Sequence, residues 1–515
     1  MKLLLLSYIT SFKYGNTGLD YIARYIRDRS NYNVKIKYYH HHEDLDKIIQ
    51  DIDLDYDVYG FSVFQNNYTL FKKVSLYIKS TNKNAVIIFG GQFVSMNYQE
   101  MINDAPMVDY FVLGDGEAPV KRILDHHMIS NDYMKGDKNI AGKGDYIEKQ
   151  NNVEPDVNRQ VDFDYYENDS SENNHLKTHC IMTKSNICTG ACTFCCSRKG
   201  KVVYKDTKRI VGEIEILAKR YGVRKFFLCD DDIFDIDGAE NRSRLNDLFD
   251  RLLALKLNLA FSGFAKAKSI CNPLNYPMLE KMSSLGFHHL FVGVDAGNEA
   301  DRKLYNKRAS LDEGIRAVQL LNSVGISPRY GMIFMNPYST LETLRDNYRY
   351  LLKLKSSNYY HYGGLKVELL KDTKLLGQVQ RDGLLTENYS FMNVLGYKFL
   401  HQEIQPIADF LDNEFLPRID NIKGQFNTLK RKYELVRHIN SKAVQYAPLI
   451  QQYEKEEFEG IKNYFYFLYE CNDILYCREH LEYYAENMEI RAQKHKPLIN
   501  VLNEMFLKTP IERKS

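Results

Sequence analysis

Short, wholly apolar runs alternate with amphipathic stretches through the first 125 or so residues. Leu3–Leu6 is the first run, and a helical period follows from about Gly18 to Arg27. Val34–Tyr38 is strand-like, Ile48–Ile52 ends a second helical stretch, and Val58–Val63 is a strand. Tyr68–Ile78 repeats at helical spacing, Ala85–Phe89 is apolar throughout, and Tyr110–Leu113 is another strand. This alternation predicts a doubly wound parallel sheet with helices on both faces. Ligands of such sheets sit beyond the carboxyl ends of the strands. Three polar or glycine-rich turns fall there: Gln65-Asn66-Asn67, Gly90-Gly91-Gln92 and Gly114-Asp115-Gly116-Glu117. Glycine in these turns either admits a ligand close to the backbone or simply serves the βα turn.

Apolar periodicity fades over about Ser130–Asn174 and then returns. His179–Thr183, Lys225–Leu228, Leu259–Gly263, His289–Val294, Arg329–Phe334 and Gly364–Val367 read as six strands separated by helical stretches. Six such units suit a partial barrel whose chemistry lies at the carboxyl ends of the strands. From about Phe399 the pattern is helical to the end. Ile419–Ile439 is a long candidate helix interrupted near Gly424, and Glu454–Tyr469 and Glu479–Lys494 are two more. Pro406, Pro417 and Pro448 mark breaks. The expected fold is α/β throughout. It comprises an N-terminal Rossmann-like (flavodoxin-like) parallel sheet over 1–130, a linker over 131–175, a partial (β/α)6 TIM-type barrel over 176–395, and a small helical C-terminal domain over 396–515. That last domain is expected to cap the open side of the barrel and hold substrate.

Bulk composition narrows the setting. The chain has 515 residues, enough for two or three domains. Tryptophan is absent, but 39 tyrosines and 27 phenylalanines supply aromatic burial. A net charge of +2 gives no general reason to expect nucleic acid or a membrane surface as partner. The apolar run at Leu3–Leu6 stops at Ser7, too short for a signal core, and no stretch approaches a membrane helix. Nine cysteines, three of them clustered, suit a reducing cytoplasm rather than a disulfide framework.

The cysteines carry the chemistry. Cys188, Cys192 and Cys195 stand at C-x3-C-x2-C directly after the first barrel strand. Three thiolates on one loop can hold three irons of a four-iron cluster and leave the fourth open, as a catalytic site requires. The alternative is a structural zinc ion held with Cys196 or a distant ligand, although no second ligand pair of zinc spacing is present. Cys471 and Cys477 are too few for a second cluster and read as plain thiols. His40-His41-His42 reads as a solvated loop, since three adjacent histidines cannot all face one metal on a regular element.

The C-x3-C-x-Phe-C pattern ending at Cys195 resembles the signature of the radical S-adenosylmethionine (radical SAM) superfamily. The resemblance implies a 4Fe-4S cluster on Cys188, Cys192 and Cys195, whose open iron chelates SAM and whose electron cleaves it to a 5′-deoxyadenosyl radical. Asp231-Asp232-Ile-Phe234 resembles an acidic element that meets the SAM amino group, the alternative being a helix N-cap. Spacing leaves open which of Asp230, Asp231 and Asp232 points into the barrel. Gly293-Val-Asp295-Ala-Gly297 resembles a Gly-x-Glu-Ser-Gly element, implying SAM contacts from Gly293, Asp295 and Gly297. Asn306-Lys307, Gly331–Pro337 and Asp372-Thr-Lys-Leu375 match further elements of the family, with glycines lost in the latter two. Arg329 starts its strand and is expected in a salt bridge at the opposite end of the barrel.

The first third resembles the cobalamin-binding domain that precedes many radical SAM barrels. This implies a corrinoid near Asn66, Gly90, Gly91, Gly114 and Gly116. The D-x-H-x-x-G cobalt-ligating motif is absent, as in many radical SAM relatives. The resemblance implies a radical SAM enzyme, with methyl transfer to an unactivated carbon of a small molecule or peptide as the leading chemistry. It also implies a reductant such as flavodoxin or ferredoxin. Two alternatives stand: a vestigial cobalamin domain beside rearrangement, cyclisation or peptide modification, and a zinc-stabilised binding module with no catalysis. Methylthiotransferases are a third, weaker alternative, argued against because their N-terminal domain carries cluster cysteines and the first cysteine here is Cys180.

Overall fold

The computed structural model describes residues 1–9, 17–40, 43–126, 137–142, 178–185, 187–197, 200–235, 239–354, 365–388 and 390–512. Two compact units divide the chain. One comprises 1–185, 203–227 and 391–393; the other comprises 186–202, 228–390 and 394–515. His41 and His42 lie outside the described residues, as does most of the expected linker.

In the first unit the elements are β1 (Lys2–Ile9), α1 (Thr17–Arg27), β2 (Asn33–His40), α2 (Leu45–Asp51), β3 (Val58–Ser62), α3 (Tyr68–Thr81), β4 (Val86–Gly90), α4 (Gln92–Asp104), β5 (Tyr110–Val112), α5 (Glu117–His126) and β6 (Ile140–Ala141). The sheet order is β2-β1-β3-β4-β5-β6. β1 to β5 are parallel, and β6 adds an antiparallel edge from within the stretch read as linker. The chain reverses its direction of travel between β1 and β3, which is where such sheets bind ligands.

The apolar runs reflect burial of both faces. Leu4, Leu6, Phe61, Ile87, Phe89 and Phe111 enter one core layer with α2, α3 and α4. Leu3, Leu5, Val58, Val86, Ile88 and Val112 enter the other with α1 and α5. Successive side chains of a strand alternate faces, so a strand covered on both sides has no polar register. β7 (Thr178–Ile181), α6 (Thr207–Tyr221) and most of β8 (Lys225–Leu228) also belong to this unit.

The second unit contains α7 (Ala239–Ala254), β9 (Ala260–Lys266), α8 (Tyr276–Leu285), β10 (Phe287–Asp295), α9 (Glu299–Leu304), α10 (Leu311–Ser323), β11 (Ser327–Met332), α11 (Leu341–Leu354) and α12 (Lys374–Arg381). β9, β10 and β11 pair in parallel, as the alternating pattern requires. Gly364 lies outside the described residues, and of the sixth expected strand a single parallel bridge, Met335 to Lys366, is formed.

Three long helices follow: α13 (Leu416–Ile439), α14 (Ala447–Phe465) and α15 (Leu481–Lys508). Pro417 and Pro448 occupy the first turns of α13 and α14, where a missing N–H costs nothing. α13 runs unbroken past Gly424. Leu429, Tyr433, Val436, Leu502 and Phe506 pack with Ala260, where β9 begins. Arg437 donates to Gly325 O just before β11, and Asn258 Nδ2 donates to Pro510 O (2.9 Å). Arg329 pairs with Glu434 at 3.9 Å, as expected for that end. α13 and α15 therefore pack where β9 and β11 begin, and α14 reaches α11 through Tyr348, which donates to Lys462 O (2.9 Å). Their apolar faces specify burial, and a periodic pattern carries no information about which end of a barrel receives it.

Candidate functional site

Cys188, Cys192 and Cys195 lie on the irregular segment 187–197 of the second unit, each partly exposed. Gly190 N donates to Cys188 Sγ (3.3 Å) and Ser197 N to Cys195 Sγ (3.4 Å). The Cys195 thiol itself donates to Ser197 Oγ (3.1 Å). A Cβ on Gly190 would lie 3.3 Å from Cys188 Sγ and 3.4 Å from Lys266 Cε, so the turn has no room to spare.

The residues after α9 clamp this segment. Thr193 N donates to Tyr305 O (3.1 Å), Thr193 Oγ1 to Leu304 O (2.7 Å), and Asn306 Nδ2 to Ala191 O (2.9 Å). Leu375 N donates to Thr193 O (3.0 Å), which brings the Asp372–Leu375 element onto the loop. Phe194 sets its ring edge-on to Tyr305 at 5.3 Å.

Two lysine–aspartate pairs border the loop. Lys266, the last residue of β9, donates from Nζ to Thr189 Oγ1 (2.9 Å) and lies 3.6 Å from Asp232. Asp232 is buried and accepts from Lys266 N (3.2 Å) and Ser269 Oγ (2.8 Å). Asp230 is buried as well, whereas Asp231 is partly exposed. Asp235 is still outside any helix and α7 is described from Ala239, so neither Asp231 nor Asp232 serves as its N-cap.

At the end of β10, Asp295 adopts a left-handed backbone (φ 60°) at a register shift. Its carboxylate forms a close ion pair with Lys307. Burial opposes charge on Lys307, but Asp295 and the thiols of Cys192 and Cys188 outweigh it and raise its pKa. Burial pushes the Cys192 thiol up, against the pull of Lys307.

Gly293 and Gly297 differ in what surrounds them. A Cβ on Gly293 would lie 3.4 Å from both Asp295 Oδ2 and Lys307 Nζ. On Gly297 it would lie 2.6 Å from Met332 Cε and 2.9 Å from Asn347 Cα, so that glycine serves close packing on α11. Gly297 N also donates to Asn347 Oδ1 (3.0 Å). Asp301 collects Asn298, Asn336 and Asn347 through their amides (2.6, 2.7 and 3.1 Å), fixing the loop after β10.

In the first unit, Asn66 is exposed beyond β3, and the neighbouring Asn67 shapes the turn. Asn67 Oδ1 accepts from Phe64 N (2.8 Å), and Nδ2 donates to Ser62 O (3.2 Å). Ser95 joins the glycine turns, donating to Gly91 O (3.0 Å) and accepting from Gly114 N (2.9 Å). Gly91 and Gly114 have φ of 118° and 80°. A Cβ on Gly91 would sit 3.0 Å from Val63 O; one on Gly90 would meet only ordinary contacts. A Cβ on Gly116 would strike Ile22 Cδ1 at 2.6 Å, so its smallness serves the packing of α1.

The cysteine segment fits an iron–sulfur cluster, because backbone N–H groups directed at sulfur accompany such thiolates. Among the described residues, no three His, Cys, Asp or Glu side chains are gathered as a single metal ion would need.

Residues 182–351 match the radical SAM superfamily model, and residues 10–124 match the B12 binding domain model. The chain carries a radical SAM domain and a B12-binding domain. The radical SAM match contains all three cysteines, both lysine–aspartate pairs and the β10 loop. The anaerobic magnesium-protoporphyrin IX monomethyl ester cyclase of Rubrivivax gelatinosus is 23% identical over 53% of this chain and 49% of its own length. The chain thus spans about half of that relative. An uncharacterized methyltransferase of Pyrococcus horikoshii is 23% identical over 65% of this chain and 73% of its own. In fold, the cobalamin-dependent SAM radical enzyme OxsB matches 98% of this chain and 80% of its own (TM-score 0.71, 17% identity). The radical SAM methyltransferase TsrM of Kitasatospora setae matches 77% and 80% (TM-score 0.56, 18% identity).

SAM, a 4Fe-4S cluster and cobalamin are the cofactors of these two domain classes. Sequence reasoning missed several residues around these sites. Lys266 ends a strand, and its reach to Thr189 is visible only in three dimensions. Ser95 and Asn347 lie inside helices, where nothing in the pattern separates them from ordinary polar positions. Among the described residues, no helix is long and apolar enough to cross a membrane.

Proposed function

We propose that this protein binds a 4Fe-4S cluster through Cys188, Cys192 and Cys195 and cleaves SAM reductively to modify a small molecule or peptide, with methyl transfer to an unactivated carbon as its leading chemistry. The observation that carries this reading is the cysteine loop, with three thiols on one short segment, N–H donors on two of the sulfurs, and a clamp from residues 304–306. When bound, the cluster, SAM and a methylated corrinoid supply the radical and the methyl group. The chain's own residues do the holding. Asp232 offers a buried carboxylate where a cationic amino group would be favoured, and Asp295 stands at the β10 end beside Gly293. The Gly90-Gly91 and Gly114 turns, tied together by Ser95, offer backbone to a corrin edge, with Asn66 exposed beside them. The electron comes from a flavodoxin- or ferredoxin-class donor, in a cytoplasmic setting.

Anaerobic reconstitution tests this directly. The expected result is four irons per chain, a brown protein, and 5′-deoxyadenosine on adding SAM and reductant. Joint replacement of the three cysteines by alanine removes both. SAM cleavage surviving in that variant overturns the assignment. Retention of stoichiometric hydroxocobalamin tests the corrinoid part, and a folded protein that releases it returns the reading to a vestigial domain.

A further inference from the structure

The clamp on the cysteine loop brings a buried charge with it. Asn306 bonds to Ala191 O, the carbonyl just before Cys192, and Lys307 follows directly. The Lys307 backbone is anchored, its N–H donating to Arg302 O and its carbonyl accepting from Arg302 Nη1, both at 3.0 Å. Its side chain is almost wholly buried and ends on Asp295, with Gly293 facing the pair. Cys192 and Cys188 both favour its charge. An ammonium in that place is not a surface lysine that has drifted inward. Asp295 holds it from a constrained left-handed backbone, and Arg302 fixes its root.

We infer that Lys307, held by Asp295, sets how readily a cluster on Cys188, Cys192 and Cys195 accepts its electron. The inference rests on the cluster reading above. Reduction adds one negative charge to the cluster, taken from a low-potential one-electron donor; no bond forms or breaks. A fixed positive charge in a poorly solvated place stabilises the reduced state more than the oxidised one and so raises the potential. Asp295 offsets part of that effect, so the pair acts as a graded setting. Lys266 borders the same loop, but it is committed to Thr189 and Asp232 and serves the position of the loop.

The test is an electron paramagnetic resonance redox titration of the reconstituted full chain without SAM. The variants are Lys307→Met, Lys307→Arg and Asp295→Asn. Asparagine tolerates the left-handed backbone at position 295. The expected result is a more negative potential in Lys307→Met, a potential close to wild type in Lys307→Arg, and a more positive one in Asp295→Asn. A Lys307→Met protein with full iron and an unmoved potential overturns the inference. Should Lys307→Met fail to hold iron, Asp295→Asn decides alone, and an unshifted potential there is equally fatal. A wild-type chain that takes up no cluster overturns the cluster reading itself, whereas a normal cluster indifferent to both substitutions overturns this inference alone.

Discussion

Lys266 Nζ donates a 2.9 Å hydrogen bond to Thr189 Oγ1, so the last residue of β9 grips the loop between its first two cysteines. Asp232, 3.6 Å from the same ammonium, keeps it in place. Lys266→Met strips Thr189 of this donor and leaves the buried Asp232 without its cation. Losing such a partner costs about 1–3 kcal/mol, here taken from the ordered state of the loop. The expected outcome is faster loss of iron to a chelator, partly restored in Lys266→Arg. Chelation rates identical to wild type in both variants would contradict the grip.

The cysteine motif could be read because its three thiols stand close together in sequence on one short segment. The sheet of the first unit was legible too, since Leu3–Leu6 and Ala85–Phe89 are buried on both faces and show it as unbroken apolar runs. The destination of the C-terminal helices was not. Val436 and Leu502 reveal a buried face, while the choice of Ala260 as partner is made by contacts across some 170 residues of chain or more. Gly297 was read as a ligand contact, and its close approach to the backbone of Asn347 could not be read, because a glycine in sequence does not say what approaches it. Asp232 was found for its charge, but its partners Ser269 and Lys266 come from a later strand end.

Glu457 is a buried carboxyl on α14, and burial pushes its pKa up to about 10, against the opposing pull of Arg491. The ordinary value is 4.5, so the folded state binds this proton more tightly than the unfolded chain does. Stability from this group is greatest at low pH and declines as pH rises from about 4.5 towards 10. At pH 7 the cost is at most about 3 kcal/mol, taking 1.4 kcal/mol per pKa unit. Glu457→Gln should therefore stabilise the protein at pH 8 by about 1–3 kcal/mol and flatten its stability through that range. Chemical denaturation at pH 6 and pH 8 checks this; a variant less stable at pH 8 would show that the carboxylate is ionised and paired.

Three histidines, His495 buried and His289 and His438 half-buried, act in the opposite sense. Burial lowers His289 well below its ordinary 6.5, helped by Arg329, His288 and Arg431. Burial likewise brings His438 and His495 to about 4, with Arg437 acting in the same direction on the first. Each is neutral in the fold and protonated in the acid-unfolded chain, so stability is lost as pH falls from 6.5 towards 4. The slope is about 1.4 kcal/mol per pH unit for each histidine within its window. Because Glu457 gains stability over part of the same range, the acid arm should steepen in Glu457→Gln. Adding His438→Gln to that variant should make it shallower. Thermal midpoints between pH 4.5 and 7 measure both, and an acid arm unaffected by His438→Gln would assign the effect to other groups.

Gly297 leaves no space for a methyl group, since a Cβ would stand 2.9 Å from Asn347 Cα and 2.6 Å from Met332 Cε. The methionine end can swing aside, but the helix backbone of α11 cannot. Gly297→Ala must therefore push the β10 loop away from α11 and strain the Gly297 N to Asn347 Oδ1 hydrogen bond (3.0 Å). Overpacking of this kind costs about 1–3 kcal/mol. Asp295 lies two residues upstream, so the displacement reaches the Lys307 pair before it reaches any cysteine. Gly297→Ala is thus expected to weaken SAM binding by roughly tenfold while four irons remain bound, a change equal to about 1.4 kcal/mol. Equilibrium binding of SAM to the reconstituted cluster, with iron counted on the same sample, separates the two effects. Unchanged SAM affinity at full iron would confine Gly297 to packing, and loss of iron first would show that the clamp at 304–306 moves together with the β10 loop.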